Sequence, residues 1–155
     1  MRAERLRIGT LLLAVPLLLA GADFLSQVIG LRFLLFPPLA AILYQAFSDP
    51  HGPRSRLRCL VLSPVLGATV GAAAARLWGD TPWSVAFSSL GVLGLMLLLR
   101  SEMPPAVAVN VLAIFVGAGT PLYPLGVLLA TTGATLVFWG WRRLGYERVA
   151  DRFTD

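Results

Sequence analysis

The sequence predicts an all-α, polytopic membrane protein made of two inverted three-segment repeats, each with a short, Pro-Pro-initiated broken or half helix. Three observations lead to this prediction: the apolar composition, its grouping into six long runs, and a Pro-Pro pair that recurs. The chain has 155 residues, of which 57% are hydrophobic and 14% charged, whereas a soluble domain carries about 25% charged residues. Apolar runs of this length need lipid around them, so we expect one transmembrane domain over residues 1–155.

Six apolar segments are predicted, and four of them are long enough for a standard span of about 20 residues. The four long segments are 8–29, 59–78, 83–99 and 122–141, the two short ones are 33–47 and 105–118, and a tail covers 144–155. The first segment also has the basic start and small-residue end of a cleavable signal peptide. Because further apolar segments follow it, we expect it to remain as the first transmembrane helix.

Each short segment carries a Pro-Pro pair at or near its start. Pro37-Pro38 and Pro104-Pro105 are 67 residues apart (104 − 37), each pair follows a large apolar residue, and a Leu-Arg pair stands shortly upstream of each. Chance similarity between apolar, proline-rich sequences is the alternative to a true repeat. The predicted repeats cover residues 8–78 and 83–143.

The arginine distribution predicts the topology. The net charge of +5 comes from arginine alone, since the chain has no lysine. Six crossings with a cytoplasmic N-terminus place 11 of the 13 arginines in the cytoplasm, whereas re-entrant short segments place only eight there. Cytoplasmic loops collect basic residues, so six crossings are favoured, with both termini on the cytoplasmic side of a bacterial-type inner membrane. Three crossings per repeat invert the second repeat, as in many transporters.

The second proline of each pair is predicted to start a short helix, because proline fits the first helical turn. Free backbone N–H groups at such a start carry partial positive charge and bind anions. Inverted repeats bring two such starts together, which predicts an anion site between them. The predicted ligands are Arg32, Pro38, Leu39, Ala40, Arg100, Pro105, Ala106, Val107 and Asn110.

Four charged residues near these segments have two interpretations each. Arg32 and Arg100 either attract the anion or lie at the interface and reach lipid phosphates. Asp23 and Glu102 are candidates for proton coupling, because an acid at membrane depth is a functional candidate. Alternatively, Asp23 reaches the interface and Glu102 pairs with Arg100. Hydroxyls that face the same cavity, or bond within the protein instead, belong to Ser88, Ser89, Thr131, Thr132 and Thr135.

A stripe of small residues lies on the third segment. Gly67, Gly71 and Ala75 are spaced by four residues, which lets another helix approach closely. That helix belongs either to the same chain or to a second copy in a homo-oligomer.

The sequence lacks the residue patterns that metal binding, catalysis or nucleotide binding would require. His51 is the only histidine and Cys59 the only cysteine, so the sequence offers no metal-ligand cluster, and no catalytic triad, P-loop or dinucleotide fingerprint is present. The arginines are spread over loops rather than gathered on a nucleic-acid-binding face. We expect no enzyme, no cofactor and no nucleic acid, and we expect a small inorganic anion and the lipid bilayer as partners.

Two stretches, "AILYQAFSDPHGPRSRLRCLVLSPVLGATVG" and "LLLRSEMPPAVAVNVLAIFVG", resemble the HPP family of small integral membrane proteins over about residues 34–143. In that family a His-Pro-Pro signature opens a short segment of small residues, and Met103 stands here where the histidine would be. The resemblance implies transport of a small inorganic anion, nitrite in particular. A transporter or channel for such an anion is therefore the predicted function. A non-transporting assembly or sensory subunit with a Gly-Ala recognition face is the alternative, and a membrane-embedded enzyme comes third.

Overall fold

Every element of the described chain is helical in the computed structural model. The structure describes residues 15–21, 23–24, 27–28, 38–49, 52, 55–101, 103–116 and 122–143. Residues 15–21 are helical. A π-helical turn at Arg58–Leu62 leads directly into the helix that begins at Ser63, which is the second of the five helices α1 to α5. These helices are α1 (Pro38–Ser48), α2 (Ser63–Trp78), α3 (Pro82–Leu98), α4 (Pro105–Phe115) and α5 (Leu122–Trp141).

The short helix α4 confirms its predicted start, and α1 is helical from Pro38, its first described residue, onward. α1 begins at Pro38 and α4 at Pro105, and each has 11 residues. Pro104 already has helical dihedral angles as the N-cap of α4, so both prolines of that pair occupy positions where a missing N–H removes no helical hydrogen bond.

α1 and α4 also bury the same positions. The buried residues of α1 are Pro38, Leu39, Ile42, Leu43, Ala46 and Phe47, and those of α4 are Pro105, Ala106, Val109, Asn110, Ala113 and Ile114. Each position in the first set lies 67 residues before its counterpart in the second (105 − 38). The two helices therefore turn equivalent faces toward the protein interior, with Leu43 in the place that Asn110 takes in α4.

Helix length separates spanning from non-spanning elements. Among the described residues, two helical stretches, Arg58–Trp78 and Leu122–Trp141, are long and apolar enough to cross a membrane. At about 1.5 Å per residue, α1 and α4 are each roughly 16 Å long, half of the hydrocarbon thickness. These two helices cannot cross the bilayer by themselves. The residues that flank them, 29–37 and 117–121, lie outside the described residues, so six crossings stay a prediction.

α2 lies against α4 more closely than helices with ordinary side chains allow. A Cβ atom added to Gly67 would lie 2.2 Å from the carbonyl oxygen of Ala106, and one added to Gly71 would lie 2.3 Å from that of Asn110. The small-residue stripe is therefore filled by α4 of the same chain. A contact with a second copy through these two glycines is incompatible with this packing, because no space remains beside them.

The corner between α3 and α4 is a Schellman motif. The N–H of Ser101 donates to the Met96 carbonyl at 3.0 Å, and the N–H of Arg100 donates to the Leu97 carbonyl at 3.2 Å. Arg100 has a φ of 48°, the left-handed conformation that glycine usually supplies at this position. The motif ends α3 abruptly and turns the backbone of Ser101 back toward α2.

Aromatic contacts join α1 to the C-terminal half of α5. The ring of Phe47 lies 5.3 Å from that of Phe138 and 4.9 Å from that of Trp141, both in edge-to-face geometry. Near this contact is an apolar pocket of about 280 Å³, formed by residues 17–21, α1 and α5. Its lining includes Leu39, Leu43 and Gly133.

The outward faces of α3 and α5 are apolar. Leu90, Leu97 and Leu98 on α3 are 68%, 65% and 81% exposed, and Leu136 on α5 is 68% exposed. Apolar side chains exposed in such numbers are unfavourable in water but suited to lipid. At one end of the molecule the exposed rings of Trp83 and Phe87 stack 6.1 Å apart.

Candidate functional site

Asn110, on the inner face of α4, is one of the fully enclosed polar side chains among the described residues. It is fully buried, and its Nδ2 donates to the hydroxyl oxygens of Ser88 at 3.0 Å and Ser89 at 3.2 Å on α3. Ser88 and Ser89 thus bond across the interface between α3 and α4, which is the alternative interpretation of their hydroxyls, and substrate binding at Asn110 stays a prediction. The inward orientation of Asn110 follows from its spacing, because Asn110 lies on the same buried face of α4 as Pro105 and Ala106.

The orientation of the Asn110 amide follows from its neighbours. The Ser88 hydroxyl donates its proton to the Val85 carbonyl at 3.3 Å, so toward Asn110 it acts as an acceptor. In the structure the NH₂ of the amide is the group that faces Ser88 and Ser89. This leaves Oδ1 of Asn110 as a fully buried acceptor with no hydrogen-bond partner among the described residues. A buried acceptor without a partner costs about 1–3 kcal/mol.

A second buried polar cluster lies at the start of α2. The hydroxyl of Ser63 is 2.7 Å from that of Ser101 and also lies 2.9 Å from the Ser101 carbonyl oxygen. The Ser101 hydroxyl also contacts the Arg58 carbonyl at 3.4 Å and Sγ of Cys59 at 3.5 Å. These contacts tie the α3–α4 corner to the π-helical turn, an irregularity that is frequent at functional sites. Neither Ser63 nor Ser101 was predicted as a site residue, because no local pattern signals a contact across 38 residues.

The N-terminus of α4 does not offer the free donors that were predicted. The N–H of Ala106 donates to the Met103 carbonyl at 2.9 Å, and the N–H of Val107 donates to the Pro104 carbonyl at 3.1 Å. The prediction that these two N–H groups are free to bind an anion was wrong, because Pro104 already continues the helical turn. Ala106 is also covered by α2 at Gly67, so a solute cannot approach its backbone from that side.

The start of α1 is described only from Pro38 onward. Pro38 and Leu39 are buried, and Ala40 is half-buried. The side chain of Leu39 lines the apolar pocket rather than a polar cavity. The chain before Pro38 lies outside the described residues, so anion binding at Leu39 and Ala40 stays a prediction.

The predicted charged residues are not gathered in the described interior. Arg100 is exposed at the corner between α3 and α4. Asp23 is half-buried and accepts a hydrogen bond from Gln27 at 2.9 Å. Arg32 and Glu102 lie outside the described residues, so their roles stay predictions. No charged side chain is buried in the part of the chain that the structure describes.

Two of the predicted threonines bond within their own helix. Thr131 donates to the Val127 carbonyl at 2.7 Å, and Thr135 donates to the Thr131 carbonyl at 2.6 Å. The alternative interpretation of these hydroxyls is thus the correct one. Tyr123, which was not among the predicted site residues, is buried and donates its hydroxyl to the Val109 carbonyl at 3.3 Å, joining α5 to the middle of α4.

Met103 has no exposed surface and packs in the hydrophobic core, where a charged or polar side chain would need a partner. In the described ranges, no three His, Cys, Asp or Glu side chains come close enough to hold a metal ion.

The described residues form only helices, two of them of spanning length, with apolar outward faces and a small buried polar cluster, and this combination is typical of a helical membrane protein. The model of one family, described as "HPP, transmembrane region", matches residues 3–149. The chain therefore belongs to the HPP family of membrane proteins, in agreement with the sequence resemblance. No curated protein and no solved structure matches the chain.

Proposed function

We propose that this protein is a transporter or channel for a small inorganic anion such as nitrite, in a bacterial-type inner membrane. The observation that most directly supports this proposal is the buried cluster of Asn110, Ser88 and Ser89 between apolar helices. Polar groups inside a membrane are costly and commonly mark a substrate pathway. Nitrite is the anion that the family resemblance implies.

We propose that the solute path follows α4. The hydroxyl pair of Ser63 and Ser101 lies before the start of this helix, and Asn110 lies five residues after Pro105, about 8 Å further along the axis. A small solute would pass from one polar cluster to the other along the side of α4 that faces α3, because α2 closes the opposite side at Gly67 and Gly71. Arg100, exposed at the corner before α4, would attract the anion to the entrance.

An inverted repeat underlies this proposal. The equal length of α1 and α4, their proline starts and their equivalent buried positions support two related halves. In transporters with inverted repeats, interrupted helices meet at the substrate site near the membrane midplane. Both termini would lie in the cytoplasm, and a homo-oligomer, if formed, would use a surface other than Gly67 and Gly71.

The alternative of a non-transporting subunit depended on the Gly-Ala face for partner recognition. α4 covers Gly67 and Gly71 on that face, so no described observation favours the alternative.

Anion flux into proteoliposomes tests the proposal. Nitrite, nitrate, chloride and formate are compared, with and without a proton gradient, against liposomes that lack protein. We expect nitrite flux above that background. We expect it to fall at least tenfold in Asn110→Leu and to persist in Thr131→Val, whose hydroxyl bonds only to its own helix. Absence of flux for every anion under both conditions would contradict the proposal.

A further inference from the structure

The described interior is poorly suited to a bare anion. None of the arginines in the described residues is buried, and the buried polar side chains there are serine, threonine and asparagine. An anion moved into such surroundings loses its hydration without gaining a positive partner, which is costly. The ionisable side chains buried on the elements around α4 are Tyr123, whose hydroxyl bonds to Val109, and Cys59 at the π-helical turn.

The unpaired group of the Asn110 amide has the wrong polarity for an anion. Its NH₂ is engaged by Ser88 and Ser89, and Oδ1 is the atom without a partner. A carbonyl oxygen accepts hydrogen bonds and repels negative charge. A ligand that satisfies Oδ1 must therefore carry a proton that it can donate.

We propose that the solute passes Asn110 as its neutral conjugate acid and donates its O–H to Oδ1 of this residue. This inference rests on the proposed transport function and names the form of the substrate at the site. On one side of the membrane the anion takes up a proton from water, A⁻ + H⁺ → HA. On the other side the acid releases that proton to water, so one anion and one proton cross together and no net charge moves.

Two consequences distinguish this route from anion conduction. At constant total nitrite, lowering the external pH by one unit raises the concentration of the neutral acid about tenfold while the acid remains mostly ionised. Protein-dependent uptake is expected to rise by the same factor. A membrane potential of about 60 mV shifts the equilibrium distribution of a monovalent anion about tenfold, and it is expected to leave neutral-acid uptake unchanged.

The experiment measures initial nitrite uptake by proteoliposomes at several external pH values, each with the membrane potential clamped at zero or at a negative interior value. Passive entry into protein-free liposomes is subtracted, because neutral acids also cross lipid. Wild type, Asn110→Leu and the control Thr131→Val are compared, with helicity and detergent stability checked for each. If Asn110→Leu fails to fold, Asn110→Ala replaces it.

The inference is supported if three results occur together. The rate of protein-dependent uptake is proportional to the concentration of the neutral acid, and it does not change with the membrane potential. It also falls at least tenfold in the Asn110 variant but not in Thr131→Val. Uptake that follows total nitrite and responds to the potential overturns the inference and leaves anion transport standing. Uptake that follows the neutral acid but survives in the Asn110 variants overturns the assignment to this residue. Absence of protein-dependent uptake at every pH overturns the proposed function and the inference together.

Discussion

Replacing Gly67 with alanine is expected to push α2 and α4 apart. The new Cβ would lie 2.2 Å from the Ala106 carbonyl oxygen, at least 0.8 Å inside the 3.0 Å below which such contacts essentially never occur (3.0 − 2.2). The obstacle is backbone, so no side-chain rotation relieves it, and α4 as a whole must shift. Overpacking of this kind costs about 1–3 kcal/mol.

Gly91→Ala on α3 is the matched control, because nothing lies within 4 Å of the added Cβ there. In a helix interior that exchange is expected to stabilise the protein by about 0.5–1 kcal/mol. The two variants should therefore differ by about 1.5–4 kcal/mol in free energy of unfolding, measured by circular dichroism during SDS titration of the protein in mixed micelles. Equal stabilisation of both variants would refute the close approach of α2 and α4.

Three other changes test separate parts of the structure. Phe47→Ala is expected to lower the free energy of unfolding by about 3–5 kcal/mol, because it removes both ring contacts that join α1 to α5; a loss below about 1 kcal/mol would contradict that packing. In a double-mutant cycle, Ser63→Ala and Ser101→Ala are expected to show a coupling of about 0.5–1.5 kcal/mol through their shared hydroxyl contact, and strict additivity would count against the pair. Arg100→Gly is expected to unfold no more easily than wild type, since glycine adopts the φ of 48° without strain. The same substitution should lower the apparent nitrite affinity more than Arg142→Ala, and equal effects would limit Arg100 to a topological role.

The sequence predicted much of the helical framework. The start of α4 was predictable because proline tolerates the first turn of a helix and disrupts its interior. The end of α5 was predictable from a long apolar run that ends at Trp141. The Gly67–Gly71 stripe indicated a close helix contact, but only the structure identifies α4 of the same chain as the partner.

The candidate site was predicted less completely. Asn110 was predictable because a polar side chain within an apolar membrane helix is costly and commonly faces the protein interior. The hydrogen bonds of the Ala106 and Val107 N–H groups were missed, because they depend on the dihedral angles of Pro104 rather than on residue type. The contact between Ser63 and Ser101 was missed as well, since it depends on the corner at Arg100, where a left-handed arginine takes a position that usually signals glycine.

Isotopically labelled nitrite exchange across proteoliposome membranes tests transport most directly. With equal nitrite and equal pH on both sides, exchange reports only the pathway through the protein and the passive leak, which protein-free liposomes measure. The structure predicts exchange well above the leak for wild type and Thr131→Val, and exchange close to the leak for Asn110→Leu. Exchange equal to the leak in all three would contradict transport through the Asn110 cluster.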